Sequence, residues 1–248
     1  MRALLLLWAG LASAAPQSAY DAGIDALRSG DHTRARDHFV TAVEGGARDP
    51  AVYHGLGNAL YRMGDAGGAL AAWRRGLRLE PRNGDIAANI DRVRKTRKDR
   101  LPPPPQAPGA FFWMAVLSPR DGALLAALGA TLALGGLLVR GLLARSGRRL
   151  ARVGLETWAG ALLATLMLVS TVAAVRSETG VVVRADEVVA RSALGPEGVE
   201  LFALHAGAEA TLLEVAGEHV LVGLPDERKG WVSAEAVVST DPAAPFPR

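Results

Sequence analysis

Residues 49–81 read DPAVYHGLGNALYRMGDAGGALAAWRRGLRLEP. Asp49-Pro50 supplies an N-cap followed by proline at the first helical position, and Pro81 closes the stretch. Offsetting the chain against itself by 34 residues pairs Gly23 with Gly57, Gly30 with Gly64, Asp31 with Asp65, Ala35 with Ala69, Phe39 with Trp73 and Val43 with Leu77. That period belongs to helix-turn-helix repeats. Gly57 and Ala69 are small enough to let two helices approach, while Trp73 and Leu77 fill the space toward the next pair.

Tyr53, Leu56, Gly57, Tyr61, Gly64, Asp65, Ala69, Trp73, Leu77 and Pro81 together resemble the tetratricopeptide repeat pattern. The preceding copy departs from it at Ala19, where an aromatic is common, and at Ala47, where the terminal proline would stand. Asp85 to Lys98 places Ile86, Ile90 and Val93 on one face with charges elsewhere, as a capping helix would. The expected domain is residues 16–100, two repeats plus a cap. That is fewer than the roughly three repeats of a stable solenoid, so the groove is small and the module leans on a partner or the membrane. The resemblance implies binding of peptide segments through the first helices, with Asn58, Arg62, Asn89 and Arg92 on that face. The two Asn match positions that some such proteins use to clamp a carboxylate, although His54 stands where that clamp has lysine. The plainer alternative is an ordinary polar concave face.

Beyond the repeats lie two apolar segments, Gly122 to Val139 and Thr157 to Val175. Each is about 18 residues, or roughly 27 Å as a helix, close to the thickness of a bilayer's hydrocarbon core. They predict transmembrane helices over 118–143 and 154–176. The loop between them, 144–153 with its approaches, carries Arg140, Arg145, Arg148, Arg149 and Arg152, a bias that keeps short loops cytoplasmic and places both soluble parts outside. Arg2, the apolar run Ala3 to Leu11 and Ala12-Ser13-Ala14 read as a signal peptide over 1–14; cleaved or retained, it leaves that orientation unchanged. The basic run Arg92, Arg94, Lys95, Arg97, Lys98 and Arg100 opposes it, at about 20 residues from the first span, where the bias weakens. Within the first span Ala123, Ala127, Thr131 and Gly135 form a stripe of small side chains suited to helix packing, with Thr157, Ala161 and Thr165 as a facing stripe. Neither span carries a deep ionisable residue, which argues for an anchor in the lipid bilayer rather than a transport path.

Residues 101–110 hold Pro102 to Pro105 and Pro108, a polyproline spacer or, alternatively, a proline-rich docking motif. Phe111, Phe112 and Trp113 follow as an interfacial aromatic anchor. From Gly180 the pattern becomes short alternating runs: Gly180 to Val183, Glu187 to Arg191, Ala210 to Val215, His219 to Leu224 and Trp231 to Val232, separated by glycine and proline turns. They predict a small five-stranded barrel over 180–240, with 241–248 a disordered tail. The order, with Gly230-Trp231-Val232 near its end, resembles a bacterial SH3 domain. Trp231 is either packed on the barrel or presented to a ligand.

Among 248 residues there is no Cys, which excludes disulfides and thiolate chemistry. The net charge of +3 rests mostly on arginine, a composition bias that does not point to nucleic acid. The five His lack metal-pair spacing, and phosphate loops, nucleophile elbows and kinase signatures are absent, so the sequence argues against catalysis, metal and cofactor. The fold class is thus a multidomain membrane protein: all-α tetratricopeptide hairpins, a transmembrane helical hairpin and a small all-β SH3-like barrel. This order resembles the E-type member of the bacterial aerotolerance (Bat) operon proteins. The resemblance implies a scaffold in the inner membrane beside von Willebrand factor A-type membrane proteins and a MoxR-type ATPase, with a role in stress tolerance or envelope assembly. A cell-wall sensor binding peptidoglycan or its stem peptides through the SH3-like domain is the alternative.

Overall fold

Five helices build the N-terminal part, and a short polar side chain fixes the start of four of them. The computed structural model describes residues 16–102, 117–145, 152–176, 180–194 and 197–247. The expected signal peptide, the linker from 103 onward, the aromatic anchor and the loop from 146 to 151 lie outside the described residues. Helix α1 spans 16–28; α2 (His32–Glu44), α3 (Pro50–Arg62), α4 (Ala66–Leu79) and α5 (Gly84–Thr96) follow. Asp31 and Asp65, 34 residues apart, cap α2 and α4, while Asp49 and Asn83, also 34 apart, cap α3 and α5. Gly30 and Gly64 both turn the chain at positive φ, 80° and 88°, a backbone state in which a Cβ is strained. The repeat is therefore written in its turns as well as its core.

The packing follows the same period. The Phe39 ring lies where a Cβ at Gly23 would come within 2.8 Å, and Gly55 of α3 abuts the same ring. Trp73 sits against Gly57 one repeat later and tilts on Tyr61 at 5.7 Å between centroids. The expected capping face, Ile86, Ile90 and Val93 of α5, is the buried one.

The C-terminal part is an antiparallel sheet of seven strands: β1 (Gly180–Val183), β2 (Glu187–Arg191), β3 (Glu200–His205), β4 (Glu209–Ala216), β5 (His219–Gly223), β6 (Lys229–Ser233) and β7 (Val237–Ser239). Their order is β3-β2-β6-β5-β4-β1-β7. Five strands were legible from alternation. The two others, β3 and β7, escape because the first exposes Leu201 beside Glu200 and the second has only three residues. Val181, Val183, Leu204, Val220, Val222 and Val232 form the sheet's core.

Helices and sheet are one body, the described residues up to 102 folding together with those from 180 onward. This differs from the expectation of two independent modules. Strand β1 is buried on both sides: Val181 and Val183 enter the sheet's core, whereas Val182, with Val238 of β7, enters the core of the repeats. Gly67 of α4 lets the β1 end approach so closely that any Cβ there would collide with the Val183 carbonyl. Residues 241–247, expected as a disordered tail, are packed as well. Phe246 is 3% exposed within the repeat core, and the Tyr53 hydroxyl donates to the Pro242 carbonyl at 2.7 Å. The buried aromatic overrides the polar and proline-rich composition that suggested disorder.

The second unit holds α6 (Pro119–Arg145) and α7 (Arg152–Arg176). Ser118 and Asp121 cap α6 reciprocally, each side chain accepting the other's main-chain N–H. Arg120–Leu143 has a mean hydropathy of 2.1 and is long and apolar enough to cross a membrane. The apolar stretch in α7, Thr157–Val169, is shorter, so among the described residues one helix meets that criterion, not the two expected. The helices run antiparallel, but not through the expected stripe: Ala123, Ala127, Thr131 and Gly135 are exposed. Contact is made instead by Gly129 and Gly136, seven residues apart, against Gly160, Ala164 and Thr157. A Cβ at Gly129 would sit 2.8 Å from the Ala164 nitrogen, whereas one at Gly135 would meet nothing within 4 Å. Backbone proximity, not mere smallness, selects the contact face.

Two outcomes follow from this packing. Trp73→Ala should cost about 3 to 5 kcal/mol, and limited proteolysis should then cut both the repeats and the sheet, since they share a core. Replacing Gly129 and Gly136 with Leu should abolish crosslinking between cysteines placed on α6 and α7, while the same change at Ala127 and Gly135 should leave it intact.

Candidate functional site

Helical spacing puts His54, Asn58 and Arg62 of α3 on one face, four residues apart each time, beside Asn89 and Arg92 of α5. The structure brings three of these side chains together. The Asn89 amide nitrogen donates to Asn58 Oδ1 at 3.3 Å and lies 3.2 Å from His54 Nε2. Burial holds the His54 pKa below its usual value, against an opposing pull from Asp85, so the ring is neutral at pH 7 and Nε2 can accept. Arg62 and Arg92 are exposed and flank the cluster. With Asn58 Oδ1 occupied, its amide nitrogen still offers donors to a carbonyl or carboxylate. A neutral imidazole replaces the cation of a carboxylate clamp, so positive charge at this face comes from the two flanking arginines.

The sheet meets α4 and the C-terminal end of α5, not this face. There a buried ionic cluster joins the two halves, and sequence reasoning missed it. Glu209 is 3% exposed and accepts from Arg74 Nε at 2.7 Å, from Arg94 Nε at 2.8 Å and from Arg97 Nη1 at 3.2 Å. Burial alone would raise the Glu209 pKa, but the Arg74 charge and the Arg94 hydrogen bond outweigh it and hold the carboxyl below its ordinary value. Nearby, Asp99 accepts from the His205 main-chain N–H at 2.6 Å and from its Nδ1 at 2.9 Å, while Lys98 reaches Nε2 at 2.6 Å. Much of the basic run 92–100 that seemed to oppose the topology is thus consumed by the sheet. A faint signal existed in the adjacent Arg74-Arg75 pair late in a repeat helix.

Trp231 lies on the outward side of β6, alternating with buried Gly230 and Val232, and is half-buried. Its cross-strand neighbours are Arg191 of β2 and Leu221 of β5. Elsewhere, a cavity of about 470 Å³ opens between the start of α1 and the α2–α3 turn, lined by Gln17, Tyr20 and Asp49 among others. Its acid already caps α3. Among the described residues no three His, Asp or Glu side chains gather in a metal-binding group.

Residues 50–83 match the tetratricopeptide repeat family. That stretch is a tetratricopeptide repeat. It contains α3, with His54 and Asn58, the whole of α4 and the Asn83 cap of α5. No curated protein and no solved structure matches the chain. Such repeats are protein-binding modules, and nothing in the site points to catalysis.

The Glu209 cluster has a pH signature. A carboxyl with a depressed folded pKa contributes stability that is fully present above its unfolded value of about 4.3 and lost as pH falls through the folded value. Glu209→Gln leaves three arginines without their counter-charge and should cost about 3 to 5 kcal/mol near neutrality. The difference in denaturant midpoint between wild type and variant should be flat between about pH 5 and 8 and shrink below about pH 4.

Proposed function

We propose that the chain is a membrane-anchored, non-enzymatic scaffold whose tetratricopeptide face holds a segment of another protein outside the cytoplasm of a bacterium. The observation that carries this is the cluster of His54 and Asn58, on the repeat, with Asn89 of α5, away from the surface used by the sheet. Topology has a support independent of loop charge. Repeats and sheet share a core, so they lie on the same side of any membrane, and the segment joining them crosses an even number of times. One crossing helix, α6, then calls for α7 as the second. With the arginine loop inside, both soluble parts face outward.

The sheet is read here as a bacterial SH3-like module, and the whole as a Bat-type envelope or stress-tolerance component in the inner membrane. Its partners would be von Willebrand factor A-type membrane proteins and a MoxR-type ATPase. A second reading, recognition of peptidoglycan or stem peptides, is favoured by one observation: Trp231 is on the outward face of β6 in a row with Arg191 and Leu221.

Asn58→Ala with Asn89→Ala should reduce co-purification of membrane partners by about tenfold or more, the effect of losing two hydrogen bonds, with membrane insertion unchanged. A reporter that fluoresces only in the cytoplasm should be bright between Arg145 and Arg149 and dark after Arg248. Unchanged partners in the double variant, together with retention on purified sacculi that Trp231→Ala abolishes, would favour the second reading. A bright C-terminal fusion would overturn the topology.

A further inference from the structure

Arg75 is fully buried, yet its three hydrogen bonds go to main-chain carbonyls rather than to a carboxylate. It donates to Ser239 at 2.9 Å, to Ala244 at 2.7 Å and to Pro245 at 3.1 Å. The Phe246 ring lies 4.8 Å from the guanidinium carbon and is almost wholly enclosed. Tyr53 holds the Pro242 carbonyl, and Arg184 Nη1 reaches that of Pro247 at 3.4 Å. Main-chain contacts along a segment, with a pocket for one side chain, are how a groove grips a peptide. The segment opens with a turn, the Ala244 N–H donating to the Asp241 carbonyl at 3.1 Å, and Pro242, Pro245 and Pro247 restrict φ and remove N–H donors, so little is lost when it is ordered in the groove.

We propose that Tyr53, Arg75 and the Phe246 pocket form a peptide-docking groove that residues 241–247 fill in cis, and that the groove takes in trans a protein segment with a turn followed by a proline-flanked phenylalanine. It is separate from the His54, Asn58 and Asn89 face, because adjacent residues of α3 project about 100° apart. Its ligand class is read from the occupant: carbonyls spaced to meet one guanidinium and one phenol, and an aromatic ring that stacks under the arginine. Cis occupancy acts as a gate. A tethered segment competes at an effective concentration in the millimolar range, so a partner gains the groove only when the tail is loosened or the partner is itself held nearby.

The test uses the solubilised full-length chain and a fluorescent peptide of residues 240–247 as probe. Wild type should bind weakly, and Phe246→Ala, which loosens the cis copy, should bind about tenfold tighter or more. Adding Arg75→Ala to that variant should remove the gain, and a probe with alanine in place of phenylalanine should not bind. Equal affinity for wild type and Phe246→Ala, or indifference to the probe's phenylalanine, overturns the proposal and leaves the segment a structural strap. Should Phe246→Ala not fold, hydrogen exchange on wild type decides. Excess probe should speed exchange at Ala243, Ala244 and Phe246 while α4 stays protected, and unchanged exchange there overturns it equally.

Discussion

A single four-residue strand with two dry faces holds the helices and the sheet of this protein together. Alternation along β1 sends Val181 and Val183 into the sheet and Val182 into the helices, so neither half has a complete core without the other. Burying three valines on opposite sides is worth several kcal/mol of transfer free energy, comparable to the net stability of a small domain. The approach requires a helix surface without side chains at the crossing, and Gly67 provides it. A repeat array too short to stand alone as a solenoid is thereby completed by a sheet rather than by further repeats.

Charge then fixes how the halves meet. Hydrophobic contact alone tolerates sliding, whereas one carboxylate gripped by arginines from α4 and α5 is satisfied in a single orientation. Asp65 reinforces it by serving twice. One oxygen caps α4 through the Gly68 N–H, and the other takes Arg184 just beyond β1 at 2.7 Å. The start of a repeat helix and the end of a sheet strand are thus pinned by one side chain.

Much of this was legible in the sequence, and the limits are physical. Period, caps and turns are local, so the 34-residue offset found Asp31 with Asp65 and Gly30 with Gly64, and strand alternation found β1 and β2 to the residue. Pairing across long separations is not local. Arg74 and Glu209 look like two solvated charges until the fold brings them together, and Phe246 among prolines looks like the end of a tail. The small stripe in α6 does not face α7 for a related reason, since spacing by four described one surface of the helix while α7 lay on the one marked by Gly129 and Gly136. At the candidate site, Asn58 and Asn89 were expected on one face and their side chains meet, but the neutral His54 beside them depends on burial that spacing does not report.

The body's two pieces are also far apart in the order of synthesis, with the hairpin segment and the sheet still to come when the repeats leave the ribosome. At about 5 to 20 residues per second, the repeats wait on the order of ten seconds before β1 and Phe246 arrive. Throughout that interval the α4 surface around Gly67 and Arg75 is bare, an apolar face with a stranded guanidinium. Synthesis therefore delivers an unfinished domain, and the nascent chain depends on whatever shields that face until β1 and Phe246 close it.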